Sequence, residues 1–356
     1  MEVFQCKTKI LFGSGALQAL ANYGAQRLLV VTDTAHTTLA HAAAEATRAP
    51  CSSYFTIEDQ DPAAELAALG TKRLTTFRPD LLIAAGGSGA LDCGKAMAYF
   101  YSDPLPLVAI PGSSGSGTEV TDFVTLSYGK RHYTLSDKGI QPEMAILDTG
   151  YPIGSPQRIA DAGFEILTLS VEAFTSTKAG TITDLYAQEA FRVAYASLPA
   201  WYAGQKSEGK LQMAACMAGL SVCRAGTGLC QSLSRALGAR FSIPHSRLNA
   251  ALLPVVIGSS AQACNKKYAQ LARAAGIGGS TDAIALHNLK LGLIRLRREL
   301  NLPQTLSQAG ISPGQLWNAM EQIVQTVLAD PSCQGSPVPV EDFCIRRILE
   351  EVAGGI

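Results

Sequence analysis

The sequence has little charge and no excess of either sign. Lysine and arginine number 29, aspartate and glutamate also number 29, and together they make up 16% of the chain. Nucleic acids and anionic membranes are bound by concentrated basic faces, which this balance does not supply. We therefore expect neither nucleic acid nor a membrane as a partner, and a small molecule is the expected ligand.

Long apolar runs are also missing. Stretches such as residues 252–257 are far too short to span a bilayer, and the first residues lack the basic and apolar regions of a secretory signal. Hydrophobic residues nevertheless make up 47% of the 356 residues, enough to bury a large core in two domains. The expected location is the cytoplasm.

The nine cysteines contain no Cys-x-x-Cys pair, which excludes a zinc ribbon and a thioredoxin motif. An odd number of cysteines without a secretory signal indicates reduced thiols. Cys216, Cys223 and Cys230 recur every seven residues. We expect them to lie roughly along one helical stripe as small buried core residues, because free cysteine packs as a small hydrophobe.

The pattern of apolar residues changes once along the chain. Short, continuously apolar runs at residues 27–32, 80–85, 107–110 and 144–147 predict parallel strands covered on both faces. From about residue 154 the periodicity is helical, and Ser312 with Gln315 predicts the capped start of one late helix. The sequence therefore predicts an α/β nucleotide-binding domain over residues 1–153 and an all-helical domain over residues 154–356.

A glycine-rich turn follows one predicted strand and opens a helix. Gly86, Gly87, Ser88 and Gly89 form this turn, where backbone N–H groups and a helix N-terminus can bind a pyrophosphate. Asp33 ends another predicted strand, where a carboxylate binds the adenosine ribose 2′-hydroxyl and repels a 2′-phosphate. These features predict NAD(H) in preference to NADP(H). A glycine-rich turn without a ligand is the alternative.

Four longer motifs resemble those of the iron-type (group III) alcohol dehydrogenases. Residues 83–95 are similar to the family's Gly-Gly-Gly-Ser-x-x-Asp-x-x-Lys, and residues 110–121 to its Ile-Pro-Thr-Thr-x-Gly-Thr-Gly-Ser-Glu-Val-Thr. Residues 163–174 resemble its Gly-Met-Asp-x-Leu-Thr-His-x-x-Glu-Ala-Tyr, and residues 228–245 its Gly-x-x-His-x-x-x-His-x-Leu-Gly…Pro-His-Gly. Within the family, the chain looks most like the short 1-propanol dehydrogenases associated with bacterial microcompartments.

The resemblance implies a dehydroquinate synthase-like fold. It also implies an NAD(H)-dependent enzyme that interconverts a small alcohol and an aldehyde or ketone. The expected oligomer is a homo-oligomer, specifically a homodimer. The resemblance also implies a place in the cytoplasm or within a microcompartment. At the cofactor it places Asp92 and the hydroxyl groups of Ser113, Ser116 and Thr118. Gly112 stands where relatives have a threonine, so one hydroxyl is lost there.

The same resemblance implies that the metal site is altered. Glu165 replaces the family's aspartate ligand, Leu169 replaces one histidine ligand and Gln231 another. Arg235 stands where relatives have a histidine near the substrate, and His245 is the histidine that survives. Zinc and iron need at least three good donors, and leucine offers none. We therefore expect no bound metal.

Two functional interpretations remain open. In the first, the enzyme works without metal: Arg235 is the cation that polarises the substrate oxygen, and His245 or His132 handles the proton. In the second, the chain is a catalytically inactive relative that keeps the fold, and perhaps nucleotide binding, as a scaffold or subunit. Arg235 is then an ordinary helix residue and His245 a turn residue. The remaining histidines lie in helical patterns and are expected to be surface or core residues: His36, His41 and His287.

Overall fold

The computed structural model describes residues 3–58, 62–112, 115–129, 131–151, 154–207 and 209–354. Ser113, one of the predicted cofactor residues, lies outside the described residues. The chain divides into an α/β unit, Gln5–Gly154 with Glu208–Gly219, and a helical unit, Met1–Phe4 with Ser155–Ser207 and Leu220–Ile356. The predicted boundary after residue 153 assigned residues 208–219 to the helical part, whereas their contacts group them with the α/β unit.

The α/β unit is built on a six-stranded sheet in which every described pairing is parallel, in the order β1-β8-β5-β4-β2-β3. The four predicted apolar runs form β2, β4, β5 and β8, the central strands. The strands are β1 Lys9–Gly13, β2 Arg27–Asp33, β3 Cys51–Ile57, β4 Leu81–Gly86, β5 Leu107–Pro111 and β8 Met144–Asp148. A separate antiparallel hairpin consists of β6 Phe123–Tyr128 and β7 Arg131–Ser136.

Each central strand is buried on both faces, which explains why its sequence is continuously apolar. Alternate residues of β2, such as Leu28 and Val30, face a cluster with α1 (Thr37–Thr47) and the 3₁₀ helix Ala16–Tyr23. Their neighbours on β2 face a second cluster, which includes residues of α2 (Ala64–Phe77) and α3 (Ser88–Phe100). Because the strands are parallel, their carboxyl ends lie at one edge of the sheet.

The helical unit contains no strand among its described residues. Ser312 and Gln315 form the predicted capping box. The predicted class, α/β followed by all-α, is confirmed. The helices after the sheet are α4 Pro156–Thr175, α5 Thr181–Tyr202, α6 Lys210–Ala225, α7 Leu229–Phe241, α8 His245–Ser259, α9 Ala261–Ala274, α10 Asp282–Glu299, α11 Pro313–Leu328 and α12 Asp342–Ala353.

The predicted cysteine stripe is wrong as a single helical face. Cys216 and Cys223 lie on α6, but Cys230 lies on α7. The helix breaks between them because Gly226 adopts a left-handed φ of 76° and α7 starts after Gly228. Cys216 and Cys230 are buried, as expected, and Cys223 is partly exposed.

No single described helix is both long and apolar enough to cross a membrane. Taken together, α6 and α7 pass the same test of length and composition, although they meet at a bend of 105°.

Two glycines let α6 approach the loop before the β6–β7 hairpin. A Cβ added at Gly219 would lie 2.1 Å from the carbonyl oxygen of Gly117, and one added at Gly117 would lie 2.3 Å from that of Ala215. Gly117 also has a φ of 63°, which disfavours any other residue. This backbone contact groups residues 208–219 with the α/β unit.

We predict that Gly219→Ala destabilises the protein by about 2 kcal/mol or more, because the new methyl group overlaps backbone that cannot move cheaply. In an ordinary helix position the same change stabilises by roughly 0.5–1 kcal/mol. Gly314→Ala on α11 is the matched control, since nothing lies within 4 Å of a Cβ there. Urea unfolding measures both variants. Equal stabilisation by the two substitutions would contradict the close contact.

Candidate functional site

The predicted cofactor residues lie at the carboxyl ends of three neighbouring strands. Asp33 ends β2, Gly86 ends β4, and Gly112 follows β5. The N–H of Gly112 donates to the carbonyl of Gly86 at 2.8 Å, so the two glycine-containing loops are tied together. Open α/β sheets bind their ligands at this edge.

The Asp33 carboxylate holds the glycine-rich turn in place. It accepts hydrogen bonds from the N–H groups of Gly87 at 2.8 Å and Ala35 at 3.0 Å, and from Nδ1 of His36 at 2.6 Å. Burial acts to raise the pKa of Asp33, but the bonds from His36 and Gly87 outweigh it and lower the pKa. A Cβ at Gly86 would lie 2.4 Å from Oδ2 of Asp33, so glycine is required there. A contact between Asp33 and a ribose hydroxyl stays a prediction.

His36 is a residue that sequence reasoning missed. We expected a surface or core histidine of a helix, but the residue precedes α1, and its side chain is 10% exposed. It lies beside Asp33 and Gly112 at the same edge of the sheet. Its position three residues after a strand-ending aspartate was the available signal.

Two further predicted cofactor residues support the loop with their side chains. The hydroxyl of Thr118 donates to Asp92 at 2.6 Å, and Asp92 also accepts from the N–H of Thr125 at 3.0 Å. Lys95 is fully buried and donates to the carbonyl of Thr118 and the hydroxyl of Thr121. A direct contact of Asp92 or Thr118 with a nucleotide stays a prediction. The structure shows that the two residues hold the loop in shape through their hydrogen bonds.

The remaining predicted residues of this unit occupy the loops and the hairpin. Ser88 and Gly89 begin α3, with Gly87 as its N-cap, so this helix N-terminus faces the same edge as the carboxyl ends of the strands. The hydroxyl of Ser116 accepts from the N–H of Thr118. His132 lies on β7 opposite Ser127 and is partly buried.

In the helical unit, the altered metal positions form a hydrogen-bonded cluster around one carboxylate. Glu165 on α4 is only 4% exposed. Its Oε1 accepts from Nε2 of Gln231 at 2.9 Å, and its Oε2 accepts from Nδ2 of Asn249 at 2.6 Å. Nε2 of His245 lies 3.5 Å from Oε1. Three of the four degenerate positions therefore meet, and Asn249 joins them.

The residues of this cluster do not fit a zinc or iron ion. Leu169 is buried and has no donor atom. Gln231 and Asn249 turn amide N–H groups, which cannot ligate a metal, towards Glu165. Within the described ranges, no three His, Cys, Asp or Glu side chains lie together in a way that could hold a metal ion. We therefore derive no step through a metal.

Glu172, two turns after Glu165 on α4, caps the start of α7. It accepts from the N–H groups of Gly228 at 2.9 Å, Cys230 at 2.6 Å and Gln231 at 3.4 Å. Gln231 therefore bonds Glu172 through its backbone and Glu165 through its side chain. Burial raises the pKa of Glu172 to about 7, although the three N–H groups and the charge of Arg235 act in the opposite direction.

Arg235 lies one turn after Gln231 on α7 and is partly buried. It makes no hydrogen bond with any residue that the structure describes, and its charge attracts the carboxylate of Glu172. Its predicted role as the cation at the substrate is not tested by this arrangement.

Sequence reasoning also missed Asn249, which donates the shortest hydrogen bond to Glu165. The signal was present, because Asn249 follows His245 by four residues on α8 and residues so spaced share a helix face. Its side-chain oxygen lies 3.8 Å from the thiol of Cys230. Asn249 is fully buried, so its polar atoms depend on these partners.

Comparison with known families matches nearly the whole chain. The family described as "Iron-containing alcohol dehydrogenase" matches residues 7–149, and "Fe-containing alcohol dehydrogenase family, C-terminal" matches residues 159–353. The 1-propanol dehydrogenase PduQ of Citrobacter freundii is 30% identical over 99% of this chain and 100% of its own. The NADPH-dependent butanol dehydrogenase of Clostridium saccharobutylicum is 30% identical over 83% of this chain and 82% of its own.

Solved structures show the same fold. The iron-containing alcohol dehydrogenase from Thermococcus thioreducens superposes with a TM-score of 0.89 at 25% identity, covering 99% of this chain and 100% of that one. A 1,3-propanediol oxidoreductase superposes with a TM-score of 0.90 at 22% identity, over 99% and 100% of the two chains. The predicted dehydroquinate synthase-like fold and the resemblance to 1-propanol dehydrogenases are confirmed.

Glu172 predicts a dependence of stability on pH. Its folded pKa of about 7 lies above the ordinary value of 4.5, so its contribution is fully present below pH 4.5 and is lost as the pH rises through 7. The loss amounts to about 3 kcal/mol at most. Glu119 of the α/β unit, whose pKa burial also raises to about 7, adds a loss in the same direction.

Glu172→Gln should therefore flatten part of this decline between pH 4.5 and 8, as measured by denaturant unfolding. The exposed Glu350→Gln on α12 is the control and should keep the wild-type slope. A Glu172→Gln variant whose stability falls with pH as steeply as that of the wild type would show that Glu172 is already ionised at low pH.

Proposed function

Because the chain belongs to the iron-containing alcohol dehydrogenase family, we propose that it is an oxidoreductase that works without the family's metal. The reaction is NAD(H)-dependent interconversion of a small alcohol and an aldehyde or ketone. One observation carries the metal-free part: the Glu165 carboxylate is bonded by the amides of Gln231 and Asn249, where a metal would need free donors.

The missing metal has to be replaced by another positive group. Reduction of a carbonyl builds negative charge on oxygen, which the family's metal would otherwise stabilise. Arg235 is a permanent cation one turn from Gln231, and its guanidinium donors are bonded to no described residue. Arginine binds carboxylates and phosphates through paired hydrogen bonds. The proposed substrate is therefore a small carbonyl compound that carries an anionic group.

His245 is the proposed proton carrier. Its Nε2 lies 3.5 Å from Glu165, and a carboxylate beside an imidazole orients the ring and stabilises its charged form. In reduction it gives a proton to the developing alkoxide, and in oxidation it takes the proton from the alcohol. Oε1 of Gln231 is buried without a hydrogen-bond partner among the described residues, so it can accept a substrate hydroxyl. His132 is the alternative proton carrier.

The nicotinamide cofactor is proposed to bind at the glycine-rich loops. The edge formed by Asp33, Gly86, Gly87 and Gly112 supports NAD(H), because Gly87 caps the N-terminus of α3 there and a helix N-terminus binds a pyrophosphate. A homodimer in the cytoplasm, or inside a bacterial microcompartment, is proposed from the motifs that resemble those of 1-propanol dehydrogenases.

A catalytically inactive relative is the second candidate. The observation that favours it is the closed character of the cluster, in which both oxygens of Glu165 accept hydrogen bonds from protein amides. Under this candidate, the cluster stabilises the fold at the positions where the family motifs have metal ligands and takes no part in a reaction. This candidate keeps the fold and nucleotide binding but lacks turnover, so kinetic measurements separate it from the first.

We predict that the combined variant Glu165→Asp, Leu169→His and Gln231→His gains zinc affinity, because it supplies one carboxylate and three imidazoles with His245. Calorimetric titration with Zn²⁺ should show binding near one equivalent in this variant and none in the wild type. Adding His245→Ala to the triple variant is the control and should weaken binding roughly ten- to a hundredfold. Zinc binding by the wild type as tight as by the triple variant would contradict the proposal.

For the reaction, we predict NADH-dependent reduction of acidic aldehydes or ketones in preference to neutral ones. Arg235→Leu should lower kcat/KM for acidic substrates by roughly a hundred- to a thousandfold, the usual effect of losing one oxyanion donor. Arg240→Leu, at the end of the same helix, is the matched control. Unchanged rates in Arg235→Leu would show that another group stabilises the negative charge on the substrate oxygen. NADH binding without turnover of any substrate would favour the inactive relative.

A further inference from the structure

Gly112 and His36 form an interlocking pair at the nucleotide-binding edge. A Cβ built on Gly112 would lie 2.4 Å from Cδ2, 2.9 Å from Cγ and 3.1 Å from Nε2 of His36. The imidazole ring therefore occupies the space that a side chain at position 112 would need. Only glycine fits beneath this ring, and Gly112 has no hydroxyl of its own to offer a ligand.

One nitrogen of the His36 ring is bonded within the protein, and the other has no hydrogen-bond partner among the described residues. Nδ1 is 2.6 Å from Oδ1 of Asp33, while Nε2 makes no hydrogen bond with any residue in the described part of the chain. The side chain is nine-tenths buried, so the bond to Asp33 and the surrounding loops hold the ring in place. Because Gly112 and Gly86 are joined by a backbone hydrogen bond, Nε2 lies next to both glycine-containing loops.

We propose that His36 is a nucleotide-binding residue that replaces the hydroxyl missing at Gly112. Its ligand is a ribose or phosphate oxygen of the dinucleotide. With Nδ1 directed at Asp33, Nε2 accepts a ribose hydroxyl when the ring is neutral and donates to a phosphate when the ring is charged. This inference rests on the proposed NAD(H) dependence.

The role of His36 is tested by exchanging the two residues. His36→Phe keeps a ring above Gly112 but removes both nitrogens, so the Kd for NADH should rise about tenfold, the effect of one good hydrogen bond. Gly112→Thr alone should also weaken binding, because the new side chain meets the ring. The double variant His36→Ala with Gly112→Thr removes the ring and restores a hydroxyl, so its Kd should return to within about threefold of wild type.

His41→Phe is the matched control, since His41 is exposed on α1 and contacts Tyr54 instead of the loops. It should bind NADH like the wild type. Circular dichroism confirms that each titrated variant is folded. Titration with adenosine and AMP identifies the contact: His36→Phe weakens both for a ribose contact, and AMP alone for a phosphate contact.

Two results would overturn the inference while leaving the NAD(H) dependence intact. Wild-type affinity in His36→Phe would show that the ring only fills space above Gly112. The single variant His36→Ala is titrated beside the double variant, and equal weakness of the two would show that His36 acts by holding Asp33. Failure of the wild type to bind NADH at all would instead overturn the proposed cofactor, and the inference with it.

Discussion

A carboxylate buried in a protein interior needs a partner, because leaving the charge unpaired costs several kcal/mol. In the helical unit that carboxylate is Glu165, and its partners are two amides and an imidazole. Gln231 is central to this arrangement, since it also bonds the second buried carboxylate, Glu172, through its backbone. The starts of α7 and α8 are thereby fixed against α4. Both oxygens of Glu165 are bonded within this network, while Oε1 of Gln231 has no hydrogen-bond partner among the described residues.

In the α/β unit, buried carboxylates are also paired, and several of their partners are backbone N–H groups. Asp33 fixes the Gly86–Gly87 turn by accepting an N–H, and Asp92 fixes the next loop through Thr118 and Thr125. These carboxylates fix the shape of the loops at the edge of the sheet.

The sequence predicted the central strands well because burial on both faces makes them continuously apolar. It missed β3, Cys51–Ile57, because this edge strand is polar on its exposed face and buries little of the other. It identified Glu165, Gln231 and His245 by motif, but not that Gln231 and Asn249 would direct N–H groups at Glu165. Side-chain amide orientation depends on neighbours from three helices, and no local pattern records it. His36 was missed for the same reason, since its contact with Gly112 joins residues from two loops.

The central claim is that amides, and not a metal, compensate Glu165. The most direct measurement is anomalous diffraction at the zinc and iron absorption edges, from crystals of the wild-type protein grown with each metal. The account predicts no anomalous peak near Glu165, with Nδ2 of Asn249 and Nε2 of Gln231 within hydrogen-bond distance of the carboxylate. A peak bonded to Glu165 and His245, with the two amides turned away, would contradict it.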